Sequence, residues 1–118
     1  MICRGDYMAK HEFGIMKNEP MSKERFDEYE PHKYNCIKID DAFIEPILIN
    51  LQSIDCYWHT LQIAGKGLAY CGITLIPPES MDTLTNILSV QNKIEHIDLI
   101  SLVNKAKEEN KYIIHFGI

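Results

Sequence analysis

Two apolar runs rich in aromatic and β-branched residues, Asp55 to Leu61 and Leu68 to Ile76, flank the glycine-rich triplet Gly65-Lys66-Gly67. Hydrophobic strand-like runs separated by glycine predict a β-hairpin over residues 55–76. With the loop centred between Ala64 and Gly65, Cys56, Trp58 and Thr60 stand opposite Ile73, Cys71 and Ala69. Tyr57, His59 and Leu61 then stand opposite Gly72, Tyr70 and Leu68 on the other face. Both faces are mostly apolar, which predicts a central place in a sheet covered on both sides.

The rest of the chain supplies the partners of that hairpin. Phe13 to Met16 reads as a short edge strand, and Tyr34 to Asp40 as an alternating one. Between them the segment 17–33 is dense in charge and reads as a solvated loop, with a short helix over Ser22–Tyr29. Phe26 and Tyr29 are the residues that would pin it to the body. Asp40 and Asp41 can accept from free backbone N–H groups and so open a helix carrying Phe43, Ile44, Ile47, Leu48, Leu51 and Ile54, with Pro46 distorting its first turn. A second helix starts after Pro77-Pro78, with Ser80 as cap and Met81, Leu84, Ile87 and Leu88 on one face. A third spans about residues 94–109 and ends at Asn110. The tail Tyr112 to Ile118 reads as a strand paired inside the sheet.

The expected fold is therefore α+β: a mixed, mostly antiparallel sheet of four to five strands built around the 55–76 hairpin, with about three helices packed mainly on one face. Residues 1–12 read as a flexible extension and 13–118 as a single domain, with Met8 as an alternative translation start.

Charge narrows the function. The net charge is −5, and residues 34–118 carry most of it, with six lysines against ten carboxylates. That balance argues against a nucleic-acid partner, which requires a basic face, and favours a basic protein. The first residues contain no long apolar core of a signal peptide, and no run approaches the length of a membrane span, so the expected location is the cytoplasm, with no membrane partner. Cys3, Cys36, Cys56 and Cys71 form no Cys-x-x-Cys pair and read as reduced, buried thiols. Cys71, among apolar neighbours, reads as inert rather than nucleophilic.

Candidate chemistry is sparse. Gly65-Lys66-Gly67 lacks the spacing of a phosphate loop, and neither a Gly-x-Ser-x-Gly elbow nor a His-Glu-x-x-His helix occurs. No metal ligands and no cofactor are expected. Of the five histidines, His11, His32 and His96 read as solvated, whereas His59 and His115 each interrupt an apolar strand. His59, Tyr70 and His115, with Asp55 nearby, are the candidate catalytic group, as two imidazoles and a phenol can move protons. A strand histidine among apolar neighbours is nevertheless more often structural. Asp40, Asp41 and Glu45 gather at one helix start, and with Tyr57 and Trp58 as anchors they form the candidate partner-binding patch.

Three functional readings follow. The first is a non-enzymatic, acidic cytosolic binding protein, an immunity or antitoxin-like inhibitor or regulator of a basic protein. The second is a small enzyme or small-molecule-binding domain with a pocket near His59, Tyr70 and His115. The third is a homodimer built on an exposed strand edge near Phe13 or Tyr112.

Overall fold

The computed structural model describes residues 9–118. It shows an α+β fold in which one antiparallel sheet of six strands runs in the order β2-β1-β6-β5-β3-β4. The strands are β1 (Lys10–Ile15), β2 (Ile37–Asp40), β3 (Asp55–Trp58), β4 (Ala64–Lys66), β5 (Ile73–Ile76) and β6 (Ile113–Phe116). Every pairing is antiparallel, and the strand count exceeds the expected four to five. Strand β1 begins at Lys10, so residues 10–12 belong to the sheet rather than to an extension, and the alternative start at Met8 lies outside the described residues.

The middle of the sheet is the C-terminal strand β6, held between β1 and β5. Its sequence, Ile-Ile-His-Phe, is buried at every position, as a strand covered on both faces requires. The 55–76 region instead forms one end of the sheet, and it is three strands rather than a single hairpin. The apolar runs pair as Tyr57 with Leu75 and Trp58 with Thr74, while β4 zips onto the other side of β3 through Asp55–Lys66, Cys56–Gly65 and Tyr57–Ala64. The glycines explain the misreading. Gly65 is a strand residue whose missing side chain makes room for the Trp58 ring, which lies where a Cβ would stand. Gly67 alone takes a left-handed conformation, at φ 77°, and a Cβ there would stand 2.9 Å from the Leu51 carbonyl oxygen.

Helices cover one face. The expected helix over 40–54 breaks into 3-10 turns at Asp41–Phe43 and Glu45–Ile47 and a single α-turn, α1 (Leu48–Leu51). Pro46 sits in the second of those turns, where a missing N–H and a fixed φ do least harm. Helix α2 (Met81–Gln91) and helix α3 (Ile97–Glu108) pack together, with Lys107 paired to Asp82 across them. Left-handed Asn92 closes α2, and left-handed Asn110 follows the end of α3. Ser80 makes no capping bond. Its hydroxyl donates to the Asp55 carbonyl at 2.6 Å and ties the start of α2 to β3.

Register divides the core in two. Phe13, Ile39, Cys56, Ile76 and Ile113 point to the helical face and join Ile47, Leu51, Met81, Leu84, Leu88, Leu99, Val103 and Ala106. Ile73, Leu75, Ile114 and Phe116 point the other way and are covered by Met16, Phe26, Tyr34 and Cys36. That cover is a chain segment with turns and no helix over 22–29. It is fastened by a bridge between Arg25 and Thr60 and by Phe26 N–H donating to the His59 carbonyl at 2.7 Å. The sheet's outer strands are β2 and β4; Phe13 lies on β1, inside, and Tyr112 precedes the central β6, so neither offers the free edge on which a dimer was expected.

Candidate functional site

Two imidazole-bearing places stand out, on opposite sides of the sheet. The first begins from register: His115 on β6 lies across from Phe13 on β1 and Thr74 on β5, and His11 lies two residues before Phe13 on the same face. These positions bring the rings of His11 and His115 into a stack, 5.1 Å between centroids and 17° between planes, with His11 Nδ1 2.8 Å from His115 Nε2. Both residues, and Thr74, are fully buried.

The contacts continue at both ends. His115 Nδ1 is 3.1 Å from Thr74 Oγ1, which accepts the Ala69 N–H at 2.8 Å. His11 Nε2 is 2.9 Å from Asp41 Oδ1, and the Tyr70 hydroxyl donates to Asp41 Oδ2 at 2.6 Å. With both rings neutral, one direction of donation satisfies every atom. Thr74 O–H donates to His115 Nδ1, His115 Nε2–H to His11 Nδ1, and His11 Nε2–H to the Asp41 carboxylate. Burial and the neighbouring His11 charge push the His115 imidazolium well below its ordinary pKa. The Tyr70 phenol is pushed up to about 12, by burial first, then by its bond to Asp41 and by the charges of Asp41 and Glu45.

Among the described residues, the side chains of this line reach the surface at Asp41 and Tyr70. Of the expected acidic cluster, Asp41 and Glu45 act on Tyr70, whereas Asp40 pairs with Lys10 at 3.1 Å across the β1–β2 ladder, on the opposite sheet face from His11. The aromatic member of the cluster is Tyr70. Tyr57 and Trp58 are consecutive strand residues and face opposite sides of the sheet. Trp58 is spent on structure, its indole N–H donating to the Gly67 carbonyl at 3.0 Å.

The second place surrounds His59, which ends β3 in a left-handed conformation with φ 65°. Such a backbone is costly for a residue with a side chain and must be held by its surroundings. His59 Nδ1 lies 3.0 Å from the Phe26 carbonyl oxygen and 3.1 Å from Asp27 Oδ1, while the Ile73 N–H reaches Nε2 at a long 3.4 Å. Arg25, donating two hydrogen bonds to Asp27, holds that carboxyl below its ordinary pKa. A surface cleft of about 130 Å³ opens here, lined by Asp27, Tyr29, Gly72, Ile73 and Phe116 among others. Tyr29 bonds the buried Glu12 carboxylate and stands edge-on to the Phe116 ring.

Of the three candidate catalytic residues, then, Tyr70 and His115 belong to one connected group through Asp41 and His11, and His59 stands apart. His11, expected in solvent, is fully buried, and Glu12 is buried too, because the polar-looking first residues enter the sheet as β1. The alternation His11, Phe13, Ile15 against the aliphatic tail is the signal that could have found His11. His96, expected in solvent, is buried and bonds through Nε2 to the Phe43 carbonyl at 2.8 Å, pinning the start of α3 to the turn after β2. Cys71 is disulfide-bonded rather than a reduced thiol, whereas Cys36 and Cys56 are free, with burial pushing both thiols up to about 12.

A larger cleft of about 410 Å³ is lined by Lys17, Lys33, Lys105 and Lys111, but Glu30 and Glu109 neutralise Lys33 and Lys111. Among the described residues no group of three metal-ligating side chains is assembled. No described helix is long and apolar enough to cross a membrane. Comparison with protein-family models, with curated proteins and with solved structures finds no match.

Proposed function

We propose that the protein is a non-enzymatic, acidic binding domain that masks or regulates a basic protein partner, in the manner of an immunity or antitoxin-like inhibitor. The observation that supports this most is the placement of Asp41 and Glu45 beside Tyr70, with Asp40 nearby in sequence but paired to Lys10, within a chain of net charge −5. A phenol among carboxylates offers an amphipathic anchor and a steering field to a basic surface. The interior imidazoles favour the same reading, since His11, His96 and His115 are engaged by hydrogen bonds that build the fold. A cytoplasmic location is expected from the lack of an apolar signal core, and four reduced cysteines would accord with it. Cys71 in a disulfide does not accord with it, and the proposal concerns whichever compartment brings the basic partner into contact.

Affinity capture of the tagged protein from native lysate tests it. One basic protein held at low salt and released at high salt is the expected result, and capture indifferent to salt contradicts it.

The left-handed His59 beside Asp27 favours a second reading, a small-molecule site in the cleft on the loop-covered side. A ligand screen by NMR tests it. Shifts confined to His59, Gly72 and Ile73, lost in His59→Ala, would support that reading; a screen without such shifts would remove it.

A further inference from the structure

We infer that the stacked His11–His115 pair is an acid-sensitive latch, which holds β1 against β6 at neutral pH and releases it on acidification. Two neutral imidazoles can share one hydrogen bond, since one nitrogen donates and the other offers a lone pair. Two imidazolium rings cannot: both nitrogens across the 2.8 Å contact would carry protons, and two like charges would be buried together. Among the described residues, the surroundings offer His115 no alternative partner for a charge. From β5 it meets the Thr74 hydroxyl, from β1 the Phe13 ring at 4.8 Å, and from β1 also His11. Among the described residues, the ionisable groups next to the pair, Asp41 from the turn after β2 and Tyr70 from the loop before β5, both stand on the His11 side. A single added proton therefore settles on the outer ring, beside Asp41, and a second has no place in the folded chain.

The sign follows from linkage. His115 is held neutral in the folded state and is free to protonate once unfolded, so its contribution to stability is complete above about pH 6.5 and declines as pH falls below that value. For this one ring, moving from pH 7.5 to pH 5.5 raises the unfolding equilibrium constant about tenfold. The inference is independent of the partner proposed above. It is tested by urea unfolding at the two pH values for the wild-type chain and His115→Gln, with wild-type ring signals followed by NMR. The wild type should lose about tenfold more than the variant, and the folded-state His115 ring should keep neutral shifts until the native signals disappear. If His115→Gln does not fold, the ring signals decide alone. A His115 ring that titrates reversibly near pH 6.5 within the folded protein, or equal losses in both chains, overturns the latch.

Discussion

His115 and His59 look alike in sequence, each a single imidazole interrupting an apolar strand, yet the fold puts them to different uses. His115 sits in the middle strand with its ring on the helix-covered side, wholly buried and bonded through both nitrogens to side chains of neighbouring strands. His59 ends a strand near the sheet's margin, its side chain 31% exposed, on a left-handed backbone and against a cover of irregular chain. The lesson is that polarity inside an apolar run marks a hydrogen-bonded junction, and only register decides whether the junction lies in the core or at a cleft.

Removing each ring in turn separates the two most sharply. His115→Ala leaves a cavity and strips His11 and Thr74 of a partner, so it should cost about 3 kcal/mol, read from the urea midpoint at pH 7.5. Thr74→Val keeps the volume but deletes the hydroxyl that takes the Ala69 N–H and donates to His115, and should cost about 2 kcal/mol. His59→Ala breaks three contacts, to the Phe26 carbonyl, Asp27 and the Ile73 N–H, at a partly exposed site, and should cost about 1 kcal/mol or less. Equal costs for His59→Ala and His115→Ala would erase the distinction.

Much of the architecture could be read from the chain because burial imposes periodicity. The aliphatic tail from Ile113 to Phe116 had to be an interior strand, and the spacing of Leu84 and Leu88, then of Leu99, Val103 and Ala106, fixed the faces of α2 and α3. The 55–76 region was misread because glycine has two uses. Gly65 and Gly67 resemble a turn, yet Gly65 is small to admit the Trp58 ring, a tertiary reason invisible to local pattern. The buried pair was half legible. His115 announced itself by its apolar neighbours, but His11 lies in a polar stretch and acquires its meaning only from the register of β1 against β6. The acidic group Asp40, Asp41 and Glu45 was visible as a run, whereas its aromatic neighbour Tyr70 arrives from 25 positions or more along the chain.

A smaller effect sharpens the contrast between the two covers of the sheet. Cys56 lies in the helix-covered core and Cys36 against the loop-covered one, both with thiols pushed up to about 12 by burial. At pH 8 the thiolate fraction of either is about one in ten thousand, so iodoacetamide should label both slowly in the native protein and rapidly in denaturant. Rapid native labelling of Cys36 alone would show that the irregular cover opens where the helices do not.

We propose that recognition belongs to the acidic surface around Tyr70 and not to the His59 cleft. Parallel affinity capture with the wild-type chain, with Glu45→Lys and with His59→Ala tests this, once each variant is shown to be folded. The charge-reversed chain should lose the basic partner while His59→Ala keeps it. Retention by the charge-reversed chain together with loss in His59→Ala would contradict it.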